Sequence, residues 1–172
     1  PLNNIGNVYW HKGDYDIALE YLGRSLAIRE ELGDKRGMGY NLNSIGIAHY
    51  YKGDYDKALD YLEKSLAIQK EIGLDGELPI WTTTYLYLSY KNLGKEYDKE
   101  LIYSLVKELK DIKLDAEGNY ILYQLLEETS YLETAYNEIR ESLDAMEDEL
   151  RAKFLGYPIP IAIVEEWGNT PN

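Results

Sequence analysis

The side chains best suited to catalysis or metal binding in this 172-residue chain are two histidines and two acidic clusters. The histidines are His11 and His49, and the acidic clusters occupy positions 127–128 and 147–149. Imidazole can act as a general base or metal ligand near neutral pH, and neighbouring carboxylates can exchange protons or bind calcium. Cysteine is absent, which excludes a thiol nucleophile, a disulfide and a zinc–thiolate site.

Neither feature is typical of a catalytic site. The two histidines do not occupy equivalent positions of the internal repeat described next, because His49 matches Tyr9 and His11 matches Tyr51. Acidic runs on helices normally form a solvated face. The sequence contains no glycine-rich phosphate loop, nucleophile elbow or metal-ligand spacing. We therefore expect no enzymatic activity, no catalytic residue, no metal site and no cofactor.

An internal repeat organises the first part of the chain. Residues 2–33 and 42–73 are identical at 19 of 32 positions with a fixed offset of 40. In each copy, apolar residues at helical spacing are interrupted by Gly13-Asp14 or Gly53-Asp54. Glycine adopts the left-handed conformation that ends a helix, and the aspartate can accept hydrogen bonds from the first amides of the next helix. The pattern predicts stacked helix pairs, an all-α superhelix.

Small residues predict where the two helices of a pair approach each other. Ala18 in the second helix of the first copy lies opposite Gly6 in the first helix, and Ala58 lies opposite Gly46 in the next copy. A longer side chain at these positions would separate the helix axes. We therefore expect these four positions to form the closest contacts within each pair.

The repeat weakens after residue 78. A third unit is predicted with helices from Pro79 to Leu93 and from Tyr97 through Leu109 to Ile112. A fourth is predicted with helices near 119–129 and 131–154, the alternative being one helix from 119 to 154. The predicted segments are 1–34, 35–74, 79–113 and 117–155 as four units, the first truncated at its start, followed by a proline-containing tail at 156–172.

The tail contains prolines and large apolar residues. Pro158 and Pro160 favour an extended stretch, after which Pro160 can begin a short helix that runs through Glu166. The apolar residues of this segment, which include Trp167, are too numerous to remain in water. We expect the tail to fold back as a cap over the last helix pair or to occupy a groove of the same chain.

Composition limits the classes of partner. The net charge of −13 disfavours nucleic acid and anionic membrane surfaces. No apolar run approaches the roughly 20 residues that span a bilayer. The absence of cysteine and of a signal-peptide pattern favours a cytoplasmic location. Because Pro1 opens within a repeat, we expect the chain to be a piece of a longer protein.

The motifs resemble the tetratricopeptide repeat family, in its 40-residue variety found in bacterial signalling proteins and in Leu-Gly-Asn adaptor proteins. The family's glycine and tyrosine positions of the first helix fall at Gly46 and His49, and its glycine, tyrosine and alanine near the second helix fall at Gly53, Tyr55 and Ala58. Two positions depart from the family pattern: Ser25 and Ser65 replace its late alanine, and its terminal proline is absent at Glu30 and Lys70.

The resemblance implies a concave face, formed by the first helix of each unit, that binds a peptide. Rings offer contact area at low entropic cost, and asparagine can hydrogen-bond a peptide backbone. Only Lys91 is basic on this face, so a clamp for a terminal carboxylate is not expected. The partner-binding positions are Asn3, Asn7, Trp10, His11, Tyr40, Asn43, Ile47, Tyr50, Tyr51, Trp81, Thr84, Leu88 and Lys91, with Asn92 beside them.

Two classes of function follow. The first is a protein-interaction scaffold for signalling that binds a partner peptide or helix in this groove. The second is a spacer, self-association or regulatory region of a larger bacterial signalling protein, such as one fused to a cyclase or kinase. Homo-oligomers would form through the exposed repeat ends.

Overall fold

The computed structural model describes residues 2–108 and 114–170. Within these ranges the protein consists of ten α-helices and contains no strand. The all-α fold predicted from the repeat is therefore confirmed. The chain divides into two compact units, Pro1–Leu109 and Lys110–Asn172, and each is described by itself.

The first unit is organised around its third helix. Helix α3 contacts α1, α2, α4 and α5, and α5 also contacts α4. Helices α1, α3 and α5 thus form one layer, and α2 and α4 lie against it. The bounds are α1 (Leu2–His11), α2 (Tyr15–Glu31), α3 (Lys35–Lys52), α4 (Tyr55–Glu71), α5 (Glu77–Asn92) and α6 (Lys99–Glu108).

Left-handed glycines connect the first four helices. Gly13 and Gly53 have φ angles of 84° and 85°, as the predicted helix ends require. Asp14 and Asp54 are the N-cap residues of the next helices, but the prediction that their side chains accept capping hydrogen bonds was wrong, because neither side chain does so. The Asp54 carboxylate instead lies 3.4 Å from the Nδ1 atom of His49.

The predicted close approach within each helix pair is confirmed. A Cβ atom added to Gly6 would lie 2.6 Å from Leu22 Cγ and 3.2 Å from the backbone oxygen of Ala18. Gly46 is placed in the same way, 2.6 Å from Leu62 Cγ. The two alanines of the second helices are fully buried. Any larger residue in place of either glycine must therefore displace a buried leucine.

The third and fourth predicted units differ from the structure in their helix bounds. Helix α5 begins at Glu77, two residues before the predicted start, because Gly76 adopts a positive φ of 90° immediately before it. Helix α6 begins at Lys99 rather than Tyr97. The predicted positions Leu109 and Ile112 lie outside the described residues.

The second unit contains three helices where either one or two were predicted between 117 and 155. They are α7 (Ala116–Leu126), α8 (Thr129–Asp144) and α9 (Asp148–Phe154). The first break follows from Glu127, whose φ of 63° is left-handed, and the second from Glu147, whose backbone is extended. A single helix from 119 to 154 was therefore wrong, as was a helix from 131 to 154.

The tail forms helix α10 (Pro158–Asn169), longer than the predicted helix from Pro160 to Glu166. It begins at Pro158 because proline fits the first helical turn, where its missing N–H has no partner to lose. Ile163 is buried against Leu132, Ala135 and Ile139 of α8. Stacking of Trp167 on Tyr136 at 5.1 Å extends the same contact. The tail thus folds back on α8.

Candidate functional site

The predicted partner-binding residues lie in the layer formed by α1, α3 and α5, and they differ in accessibility. His11 and Tyr40 are exposed, whereas Asn43, Tyr50, Thr84 and Leu88 are buried. The remaining members of the set are partly exposed: Asn3, Asn7, Trp10, Ile47, Tyr51, Trp81 and Lys91.

Three aromatic rings connect the helices of this layer, and we refer to Trp10, Tyr51 and Tyr85 as the aromatic ladder. Trp10 of α1 meets Tyr51 of α3 edge-on at a centroid distance of 5.2 Å. Tyr51 then meets Tyr85 of α5 at 5.9 Å, and their hydroxyl oxygens are 3.1 Å apart. Such edge-to-face pairs are favourable because the ring edge is positive and the face negative. The ladder therefore fixes Tyr51 between its neighbours.

Two further tyrosines border the ladder. Tyr15, at the start of α2, stacks on Tyr51 at 6.2 Å, and Tyr50 meets Tyr85 at 5.6 Å. Burial raises the pKa of Tyr15 above its ordinary value of 10.0. Tyr85 is absent from the predicted set because it lies in the weak third unit and has no repeat partner. Tyr15 was visible as part of the recurring Gly-Asp-Tyr motif.

A buried chain of polar side chains joins α3, α4 and α5, and we call it the polar chain. Thr82 donates a hydrogen bond to Asn43 Oδ1 at 2.8 Å. Gln69 Nε2 donates to Thr82 at 2.9 Å and to Ser65 at 2.7 Å, and Ser65 donates to the Gly39 carbonyl. Asn43 is thereby committed to packing between repeats. The Asn43 side chain is buried and its amide oxygen accepts the bond from Thr82, so it offers little surface to a peptide.

The first copy of the repeat has a shorter version of these bonds. Ser25 donates to Asn41 Oδ1 at 3.2 Å, and the Asn41 amide donates to the Leu22 carbonyl at 3.2 Å. Both serines that depart from the family pattern therefore hold neighbouring helices through their hydroxyl groups. Among the described residues, Asn3 Oδ1, Trp10 Nε1 and Gln69 Oε1 are buried without a hydrogen-bond partner.

Residues 1–71 match the family model described as tetratricopeptide repeat. This segment is therefore similar to that family. Members of the family generally mediate protein–protein interactions and are typically non-catalytic scaffolds. The match confirms the resemblance inferred from the two repeat copies. No curated protein and no solved structure matches the chain.

Three more of the predicted contact residues are buried on α3 or α5. Leu88 is almost completely buried, and so is Thr84, whose hydroxyl donates to the Ile80 carbonyl at 2.7 Å. Tyr50 is enclosed by Tyr51, Tyr55 and Tyr85. Their side chains offer little surface to a ligand because the helical turns that carry them face neighbouring helices.

The two histidines of the repeats differ in burial and in their contacts. His49 is buried, stacks on Tyr61 at 5.4 Å, and lies beside the Asp54 carboxylate. Burial lowers the pKa of His49 below its ordinary value of 6.5, and the nearby Asp54 opposes this shift only in part. His11 is exposed, and its ring contacts Trp10 edge-on at 4.1 Å. The described residues contain no group of acidic, histidine or cysteine side chains that could hold a metal ion.

The surface that remains accessible on this layer is aromatic and amide in character. It carries Trp10, Tyr40, Tyr51 and Trp81 together with two amides of α1. Lys91, partly exposed near the end of α5, is the one basic member of the predicted set. None of the described helices has the length and apolar character that a membrane span requires.

Proposed function

We propose that this chain is a non-catalytic interaction scaffold whose tetratricopeptide repeats bind a partner peptide or helix along the α1–α3–α5 layer. The observation that carries the proposal is the set of accessible rings on this layer. The family that residues 1–71 match mediates protein–protein interactions. The accessible members of the proposed site are Asn3, Asn7, Trp10, His11, Tyr40, Ile47, Tyr51, Trp81 and Lys91.

Preorganisation supports this site. Tyr51 touches Trp10, Tyr15 and Tyr85, so its rotamer is restrained before any ligand arrives. A restrained ring loses little conformational entropy on binding, so little of the favourable free energy of its contacts is offset. Rings held in this way are typical of the residues that dominate protein interfaces.

The chemistry of the face indicates what kind of peptide it would take. With Lys91 as the one basic member of the proposed set, charge attraction to a terminal carboxylate is a minor contribution. Rings and amides suit a segment with large apolar side chains whose backbone remains available for hydrogen bonds. We also propose that the protein takes no cofactor and is cytoplasmic, and that its net charge of −13 disfavours nucleic acid and anionic membrane surfaces as partners.

The test uses the full chain as bait for a displayed peptide library, followed by affinity measurement on the selected peptides by fluorescence anisotropy. We expect Tyr40→Ala and Trp81→Ala each to weaken binding by about tenfold, because each removes an accessible ring from the face. Tyr131→Ala, which removes a partly exposed ring from α8, is the matched control and should bind as the unsubstituted chain does.

Circular dichroism on the same variants separates binding from folding. Both substitutions remove surface rather than core, so helicity should be unchanged. Equal affinity of Tyr40→Ala, Trp81→Ala and the control for every selected peptide would contradict the proposal.

A further inference from the structure

The loop between α4 and α5 contains the only Asp-Gly dipeptide of the sequence, Asp75-Gly76. Its glycine has a φ of 90° and a ψ of −149°, a combination that residues with a side chain rarely adopt. Helix α5 begins at the next residue, Glu77. The path of the loop therefore requires glycine at position 76, and Asp75 is followed by an amide nitrogen that no Cβ atom shields.

Both residues of this dipeptide are exposed to solvent. The Gly76 N–H donates no backbone hydrogen bond within the described residues, and no side chain caps the start of α5. Asp115 is also exposed, but it is the N-cap of α7 and its carboxylate accepts the Gly118 N–H at 2.9 Å. Asp75 lies one residue too early to cap α5 in this way. Its carboxyl group therefore remains next to the amide of its own successor.

We propose that Asp75 is a site of spontaneous conversion to isoaspartate, and that this modification loosens the start of α5. The reaction requires only an accessible aspartate, an unshielded amide nitrogen and water, and the loop provides all three. This proposal concerns the stability of the loop over time and does not depend on peptide binding by the α1–α3–α5 layer.

The reaction proceeds through a succinimide ring. The Gly76 nitrogen attacks Cγ of the protonated Asp75 carboxyl group, so a bond from nitrogen to Cγ forms and the bond from Cγ to the hydroxyl oxygen breaks. The hydroxyl group leaves with the amide proton as water. Water then adds to the main-chain carbonyl carbon of Asp75 and breaks its bond to nitrogen, which leaves the chain connected through Cγ. Addition at Cγ instead restores aspartate. Because one water leaves and one returns, isoaspartate has the same composition and oxidation state as aspartate.

Isoaspartate places an additional carbon atom, its Cβ, in the backbone directly before Gly76. The first turn of α5 is joined to the neighbouring helices through Thr82, whose hydroxyl lies within hydrogen-bond distance of the Leu78 carbonyl and of Asn43 Oδ1. Gln69 of α4 also donates to this hydroxyl. A longer backbone before the first turn therefore displaces α5 relative to the polar chain that holds it.

The test stores the full chain at neutral pH and physiological temperature and samples it over several weeks. Isoaspartate is quantified with a protein isoaspartyl methyltransferase and labelled S-adenosylmethionine, and it is located by electron-transfer dissociation of the tryptic peptide 71–91. We expect the label to rise with time and to map to Asp75, at a rate close to that of a synthetic peptide of the same residues. The tryptic peptide 114–140, which contains Asp115, is the internal control and should remain unmodified.

Two substitutions test the chemistry at this position. Asp75→Glu keeps the charge but requires a larger and less favourable ring, so it should abolish the signal in peptide 71–91. Asp75→Asn replaces the carboxylate with a neutral amide, which a nucleophile attacks more readily, and ammonia then leaves in place of water. Isoaspartate should therefore accumulate several-fold faster in Asp75→Asn than in the unsubstituted chain. Circular dichroism of fresh samples verifies that all three proteins start from the same fold.

Hydrogen exchange measures the effect on α5. The modified and unmodified forms are separated by chromatography, and we expect the amides of residues 77–92 to exchange faster in the modified form. Asp75→Glu stored for the same time should retain slow exchange. Unchanged exchange in the modified form overturns the loosening of α5.

Three results overturn the site itself. They are the absence of isoaspartate in the stored chain, an equal signal in Asp75→Glu, and formation much slower than in the synthetic peptide. The last would mean that the folded loop holds the carboxyl group away from the Gly76 nitrogen.

Discussion

The two repeat copies share most of their sequence but not their surroundings. Within each copy, a glycine of the first helix meets a leucine of the second in nearly the same geometry. Between copies the environments differ, because α3 is packed on both sides and α1 is not. Ile45 is buried where Ile5 is open, and Asn43 is hydrogen-bonded where the Asn3 oxygen lacks a partner.

The difference separates two kinds of information in a repeat sequence. Contacts inside a helix pair are specified by the pair itself and recur wherever its residues recur. Contacts between pairs depend on which neighbour is present, so identical residues contribute unequally to stability. The same substitution made at equivalent positions of the two copies should therefore lower the free energy of unfolding equally where it affects a contact inside a pair. It should lower it by different amounts where it affects a contact between pairs.

The largest difference is expected at the isoleucines. Ile45→Ala should lower the free energy of unfolding by about 3 kcal/mol, because it leaves a cavity in a closed cluster. Ile5→Ala should cost about 1 kcal/mol, since much of that side chain is already in water. Urea denaturation followed by far-UV circular dichroism measures both values. Equal costs would show that the neighbour of α3 contributes nothing to this position.

The glycines should give equal effects in the two copies. Gly6→Ala and Gly46→Ala each place a Cβ atom against a buried leucine, and the gain in helix propensity offsets only part of the overpacking. We expect a net loss of about 1–2 kcal/mol for both variants in the same denaturation experiment. A cost at Gly46 several times that at Gly6 would contradict the view that this contact belongs to the helix pair alone.

The asparagines test the polar chain. Asn43→Ala removes one of the two acceptors within reach of the Thr82 hydroxyl, the other being the Leu78 carbonyl, and should cost about 1 kcal/mol. Asn3→Ala removes a side chain whose buried oxygen has no partner and should cost almost nothing. A double-mutant cycle with Thr82→Val measures the coupling directly. Additive effects of Asn43→Ala and Thr82→Val would mean that the observed bond contributes no net stability.

Much of this organisation could be predicted from the sequence because it is local. The Gly-Asp motifs located the joints between α1 and α2 and between α3 and α4, and the small residues located the helix contacts. The motifs also led to the wrong prediction that the aspartate side chains accept capping hydrogen bonds. Asp54 follows the joint as expected, but His49, one turn before the end of α3, lies beside its carboxylate.

Other features depend on residues that the local pattern does not contain. The inward position of Asn43 is set by Thr82, which lies 39 residues later in the weak third unit. The break after α7 occurs at Glu127, a residue type that rarely adopts a left-handed conformation. No glycine or proline at this point of the sequence indicated the break. The candidate site was predicted as a set of helix positions. In the structure, those that point toward neighbouring helices are buried.

The smallest expected effect concerns a position where the copies differ in residue type but share a contact. His49 stacks on Tyr61 at 5.4 Å, and its equivalent Tyr9 stacks on Tyr21 at 5.8 Å. Because burial lowers the pKa of His49 below 6.5 in the folded protein, the unfolded chain binds a proton more readily at this site. The contribution of neutral His49 to stability is therefore present above pH 6.5 and is lost as the pH falls through the lowered folded pKa.

His49→Tyr makes the two copies alike at this position and removes the titrating group while keeping a ring for the stack. We expect the unsubstituted chain to lose more stability than His49→Tyr between about pH 7.5 and about pH 5 in urea denaturation. His11 is present in both proteins, so the difference reports His49 alone. Parallel pH profiles for the two proteins would show that the His49 pKa is the same in the folded and unfolded chain, and that the buried stack on Tyr61 does not resist protonation.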